Sequence, residues 1–128
     1  MRVTQKKGDT AKAQAIATFT RLGWDVSLPL TESAAYDIIV DVDGVLKRVQ
    51  TKFSTGQDVD LRRVHSNSRG YVVKKATKNS YDWLYVLHEG REYVIPRFVT
   101  TAWIRLKPEF LLEGSALASQ AVLKTVAP

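Results

Sequence analysis

The stretch Tyr36-Asp37-Ile38-Ile39-Val40-Asp41-Val42-Asp43-Gly44-Val45-Leu46-Lys47-Arg48-Val49-Gln50-Thr51-Lys52-Phe53 decides how this chain is read. Asp43-Gly44 is a two-residue hairpin turn signal with apolar, largely β-branched residues on both sides. Asp37 to Val42 therefore reads as a strand and Val45 to Phe53 as its return. With that turn, Val42 faces Val45, Asp41 faces Leu46, Val40 faces Lys47, Ile39 faces Arg48, Ile38 faces Val49 and Asp37 faces Gln50. Opposed residues share a side, with Cβ atoms about 4.5–5.5 Å apart. Lys52 lies two residues beyond Gln50 and shares that side. One face thus gathers Asp37, Gln50 and Lys52. The other carries Ile38, Val40, Val42, Val45, Val49 and Phe53, with Lys47 as the exception, and is the expected core side.

The polar set has a chemistry. A hard dication such as Mg²⁺, or Mn²⁺ in its place, takes oxygen ligands and keeps several waters. Asp37 supplies a carboxylate, Gln50 an amide oxygen and Thr51 a backbone carbonyl. Lys52 is suited to orient a water or to stabilise charge on a phosphate. Such a set can hydrolyse a phosphodiester. The same three side chains also occur on the wet faces of many unrelated hairpins.

Outward from the hairpin, Gly8-Asp9-Thr10 offers a helix start with Asp9 or Thr10 as N-cap. Ala11 to Leu22 is expected to be helical, with Lys12, Ile16 and Phe19 on one face and Ala15 and Leu22 beside them, ended by Gly23. Trp24 to Leu28 alternates as a short strand stopped by Pro29, and Thr31 to Ala35 is a loop. Downstream, Ser54 to Asp60 reads as a polar loop and Gly70 to Lys75 as a short basic strand. Tyr81 to Leu87 and Glu92 to Ile95 are further strands, joined through Glu89-Gly90. Phe98 to Leu106 reads as helical, and Ser115 to Val126 as a last helix. The expectation is an α/β or α+β domain with one mixed sheet and flanking helices.

Composition bounds the rest. The chain has 128 residues, which is one domain's length. No apolar run approaches the roughly 20 residues of a membrane span, and the basic start does not resemble a signal peptide. With no cysteine, disulfide scaffolds, thiolate zinc sites and thiol nucleophiles are excluded. This fits a cytoplasmic protein. Two histidines, His65 and His88, rule out a histidine-rich metal site. Both are expected to be surface residues.

Nineteen Lys+Arg against thirteen Asp+Glu give a net charge of +6, which suggests a polyanionic partner. From Leu61 to Ser80 the chain carries Arg62, Arg63, Arg69, Lys74, Lys75 and Lys78 and no acid. These six are the candidate nucleic-acid contacts, through phosphates above all. Lys6 and Lys7 are weaker candidates. Trp24, Trp83 and Tyr85 are expected in the core. Trp103, Phe98, Ile104, Leu106, Phe110, Leu111 and Leu112 are expected to cover the sheet or form a subunit interface.

At these residues the sequence resembles the PD-(D/E)XK nuclease superfamily, and within it the branch of group I intron homing endonucleases and phage relatives. Tyr36-Asp37-Ile38-Ile39-Val40-Asp41 resembles that branch's first motif, with tyrosine where the proline of PD stands. Val49-Gln50-Thr51-Lys52 resembles its second, with Gln in place of the acid. Leu22-Gly23-Trp24-Asp25-Val26, Tyr81 to Val86 and Glu92 to Pro96 match the rest of the core, over about residues 7–96, with a helical extension over 97–128. The resemblance implies a restriction-endonuclease-like αβββαβ core and Mg²⁺-dependent cleavage of double-stranded DNA by a homodimer or homotetramer. Asp37 and Gln50 become metal ligands and Lys52 the catalytic lysine. Holliday-junction resolution and a catalytically degenerate DNA-binding module are the alternatives. A basic interaction protein, RNA-binding for instance, ranks below both.

The sequence departs from that family at one position. The family usually carries a glutamate on the first helix, where this chain has Lys12. A cation there repels a metal. Asp9 and Glu32 are the conceivable replacements.

Overall fold

The computed structural model describes residues 3–67, 70–74 and 79–113. The expected last helix, Ser115 to Val126, lies outside them. Among the described residues, helix α1 (Val3–Arg21) is followed by nine strands: β1 (Asp25–Ser27), β2 (Ile38–Val42), β3 (Val45–Ser54), β4 (Asp58–Asp60), β5 (Arg63–Asn67), β6 (Gly70–Lys74), β7 (Trp83–His88), β8 (Arg91–Ile95) and β9 (Trp103–Arg105). One 3-10 turn, Pro108–Phe110, comes after them.

The hairpin forms in the expected register from Val42↔Val45 through Ile38↔Val49. Asp43 and Gly44 have φ of 52° and 88°, and Glu89 and Gly90 have φ of 51° and 75°. Two consecutive positive φ values match the right-handed twist of paired strands, which is why these dipeptides turn where they do. The Asp41 carboxylate locks the first turn by accepting from Gly44 N at 2.8 Å.

Among the described residues, five strands build a mixed sheet in the order β1-β2-β3-β7-β8, in which only β3 and β7 run parallel. Among the described residues the crossover between those two strands holds β4 and the β5–β6 hairpin, where the αβββαβ scheme has a helix. Every residue of β7 is buried, so this central strand serves two cores. Trp83, Tyr85 and Leu87 join Phe19, Trp24, Ile38, Val40 and Val49 under α1. Leu84 and Val86 join Val59, Leu61, Tyr81, Ile95, Val99, Ile104 and Leu106 on the opposite face. The two-stranded sheet of β4 and β9 covers that second face.

Several expectations are corrected here. Asp9 and Thr10 do not cap α1, which begins at Val3 and runs through Gly8. The Thr10 hydroxyl donates to Lys6 O one turn back, as a residue inside a helix does. The buried stripe is Ala11, Ala15 and Phe19 with Thr18, and Lys12 sits at its half-buried border. The small alanines let the helix lie close over the sheet. Phe98 to Leu106 is not helical: Ile104 and Leu106 are buried while Trp103 and Arg105 are exposed, a period of two. β9 pairs with β4, which itself occupies part of the supposed loop Ser54 to Asp60. β5 was not expected as a strand. Val45 is 54% exposed and stands outside the core at the hairpin tip. His88 is buried, with Nδ1 2.8 Å from Ser54 O. Trp24, Trp83 and Tyr85 are core residues as expected.

Candidate active site at the open end of the hairpin

The β2–β3 ladder ends at Ile38↔Val49, and Asp37 continues it with a bond from its N to Val49 O at 2.9 Å. The chain enters here from the loop preceding β2. The half-buried Asp37 side chain turns onto β3, where its Oδ2 accepts from Thr51 N at 2.8 Å and from Thr51 Oγ1 at 3.0 Å. Thr51 is buried on the α1 side, and alternation sends Gln50 and Lys52 to the other side. Parallel pairing sets Gln50 beside Leu84 and Lys52 beside Val86, two residues of the second core. Gln50 and Lys52 are both half-buried. Asp37, Gln50, Thr51 and Lys52 therefore occupy one end of the central strand pair, with Thr51 bonded directly to the carboxylate.

A second ion pair braces this end. Arg48 forks onto Asp82, Nε to Oδ2 at 3.1 Å and Nη2 to Oδ1 at 3.2 Å, and Arg48 N adds a 2.8 Å bond to Oδ2. Asp82 N returns a bond to Arg48 O at 2.8 Å. The guanidinium holds the Asp82 carboxyl below its usual range, and the pairing raises Arg48 in turn. This reciprocal contact fixes where β7 begins against β3, and hence the level of Thr51.

Sequence reading missed Asp60. It ends β4, between Val59 and Leu61 of the second core, and its Oδ1 and Oδ2 accept from Arg62 Nε and Nη2 at 3.0 and 2.8 Å. That fork lowers the Asp60 carboxyl to about 2, with Lys52 adding a smaller pull in the same direction. The signal was the spacing Asp60-Leu61-Arg62 around a buried leucine. In an extended segment that spacing puts the acid and the base on one side.

Of the six expected nucleic-acid contacts, Arg62 is exposed and paired with Asp60. Arg63 and Lys74 are register partners in the β5–β6 ladder. Arg69, Lys75 and Lys78 lie outside the described residues. Lys7 sits with its Nζ 5.7 Å from the centre of the Phe53 ring. Asp9 and Glu32 are exposed. Among the described residues no helix is long and apolar enough to cross a membrane.

A mixed sheet with the candidate ligands at the open end of its central hairpin is the restriction-endonuclease-like arrangement. The chain belongs to the PD-(D/E)XK endonuclease family, whose sequence model matches residues 2–107. Among solved structures it is similar to a bacterial homing endonuclease, I-Ssp6803I, at 27% identity and a TM-score of 0.76. That match covers 98% of this chain and all of the other. No curated protein matches by sequence.

Among the described residues no three His, Cys, Asp or Glu side chains cluster as a metal site. One pinned carboxylate, one amide oxygen and a main-chain carbonyl fit Mg²⁺, which is commonly held by one or two carboxylates plus waters and substrate phosphate oxygens. They do not suit zinc, which prefers His and Cys donors.

Proposed function

We propose that this chain is a metal-dependent DNA endonuclease that cuts phosphodiester bonds at specific sites, in the manner of homing or phage enzymes. The observation that carries this reading is the Asp37 carboxylate, pinned by Thr51 within the segment that matches the family. The similarity to a protein described as a homing endonuclease supports the homing type, and the net charge of +6 supports a polyanionic substrate.

In this reading Asp37, Gln50 and the Thr51 carbonyl would hold Mg²⁺ or Mn²⁺, which would supply Lewis-acid polarisation of the scissile phosphate. Thr51 N and Oγ1 fix one carboxylate oxygen of Asp37, so the ligand is aimed before substrate arrives. Lys52 orients the attacking water and offsets the charge that builds on the phosphate oxygens. The water oxygen bonds to phosphorus as its proton passes to solvent, the bond from phosphorus to one sugar oxygen breaks, and that oxygen takes up a proton from solvent. Arg62 and its basic neighbours grip the backbone. A single such site cuts one strand, so a homodimer or homotetramer supplies the second for a duplex cut.

Lys12 favours a second reading, a DNA-binding module with a degenerate site. One assay separates the two. Plasmid of varied sequence is incubated with wild type or Asp37→Ala in Mg²⁺, Mn²⁺ or EDTA. Metal-dependent nicking lost in Asp37→Ala is expected. DNA shifted in a gel but never cut, with any metal, supports the degenerate module. Cutting retained in pure Asp37→Ala overturns the site.

A further inference from the structure

Arg62 is the best-described cation of the basic segment, and its fork is already occupied. Asp60 takes Arg62 Nε and Nη2 side-on and also accepts from Arg62 N at 2.9 Å. The guanidinium carbon lies 5.1 Å from the centre of the Trp103 ring. Trp103 is 49% exposed and is the register partner of Asp60 across β4 and β9. Acid, guanidinium and indole form one small exposed unit on the sheet that covers the second core.

A carboxylate and a phosphodiester present the same pair of oxygens to a guanidinium fork. We infer that Asp60 holds, in the free protein, the place of a backbone phosphate on Arg62, so that Arg62 grips DNA by exchanging Asp60 for a phosphate. This rests on the endonuclease reading above and deepens it.

Three features make exchange workable. The ion pair is solvent-exposed, with side chains 42% and 38% accessible, so it is weak and open to competition. Trp103 supports the guanidinium by its face, not its edge, and that support persists when the edge changes partner. Lys52 also exerts a weak pull on the Asp60 carboxylate, so the displaced acid keeps a cation within electrostatic reach. Asp60 then acts as an internal competitor that weakens non-specific binding, because each loose phosphate must displace it. A site that engages the whole surface overcomes that cost.

The test is a double-mutant cycle on binding of a random-sequence duplex in EDTA, read as affinity against salt. The proteins are wild type, Asp60→Asn, Arg62→Ala and the double variant, each checked by thermal melting. Asp60→Asn is expected to bind roughly fivefold tighter with the same salt slope, because Arg62 reaches the phosphate in both proteins, whereas Arg62→Ala loses that contact and its slope is expected to be shallower by about 0.9. In the Arg62→Ala background the same change is expected to alter affinity less than about twofold. An equal gain in both backgrounds means simple removal of a negative charge and overturns the exchange. So does no gain at all, which makes the pair a fixed brace of β4. If wild type binds no duplex at any salt, the endonuclease reading itself falls, and the exchange with it.

Discussion

The Asp37 carboxylate takes two hydrogen bonds from one residue, Thr51, and both land on the same oxygen, Oδ2. The main-chain bond is available with any residue at position 51. The hydroxyl bond needs Thr or Ser. Thr51→Val keeps the volume and the main-chain bond but removes the second donor, leaving the carboxylate less firmly aimed. Cleavage is expected to fall about tenfold, a loss typical of altering a ligand's outer partner. Thr51→Ser should restore most of it. A nicking time course under saturating metal checks this, and an unchanged rate in Thr51→Val would show that the hydroxyl is idle.

Lys52 is expected to be needed for cutting but not for folding. It is half-buried on the face away from α1, beside Val86 at the edge of the second core. Lys52→Ala should lose cleavage by at least about a hundredfold, the scale of a positioned charge or proton-transfer group. The melting temperature should stay within a few degrees. Nicking and melting on one preparation decide the matter. A large fall in melting temperature would make Lys52 a structural residue.

Much of this site could be read before the structure because the hairpin is a local object. A two-residue turn and strict alternation set the register from Val42↔Val45 to Ile38↔Val49, with no distant partner required. The β4–β9 pair is different. Each strand is three residues long and its partner lies more than forty positions away, so neither carries a local signal. Trp103 to Arg105 forms a strand because Ile104 meets the second core, a tertiary fact. His88 looked exposed beside a turn, yet its position next to Ser54 on the parallel strand buries it. Asp60 escaped notice because its surroundings depend on β4 pairing with the distant β9 and packing on the second core.

Acid should weaken the fold through two carboxylates. Arg48 holds the Asp82 carboxyl below its ordinary value, and Arg62 holds that of Asp60 at about 2. A depressed carboxyl contributes stability above the unfolded value, near pH 4, and loses it as pH falls through the folded one. Both pairs are more than a third accessible, so solvent screening keeps the contribution of each small. Urea midpoints at pH 6 and pH 2.5 should differ, and Arg48→Gln should narrow the gap. An unaltered gap in Arg48→Gln would assign the acid sensitivity elsewhere.

The fully buried Tyr85 donates its hydroxyl to Glu92 Oε2 at 2.7 Å, which ties β7 to β8 beneath the helix. Burial, and then the neighbouring carboxylate, push the phenol well above its ordinary range, so it remains a donor at every working pH. Tyr85→Phe keeps the ring contact with Phe19 and leaves Glu92 half-buried without this donor. A loss of about 1–3 kcal/mol is expected, from the hydrogen bond to a charged group. Chemical denaturation at neutral pH measures it. A stability unchanged in Tyr85→Phe would show that this hydroxyl contributes nothing to the fold.

Lys12 sits one residue past buried Ala11, at the border of the face that α1 lays on the sheet, and the resemblance puts a glutamate there. Lys12→Glu swaps a cation for an anion without entering the core, so the fold should persist. If position 12 borders the Asp37 site, the swap removes a repulsion and adds an attraction. Mg²⁺ or Mn²⁺ affinity by calorimetry is then expected to rise about tenfold or more. Asp37→Ala should erase that gain, because the two groups would act on one ion. Tighter metal with faster nicking would mean that Lys12 restrains an otherwise competent nuclease. Tighter metal with no nicking would mean that a second element of the site is missing, and would favour the DNA-binding module. An unchanged affinity would place position 12 away from Asp37, and the lysine would then bear on neither reading.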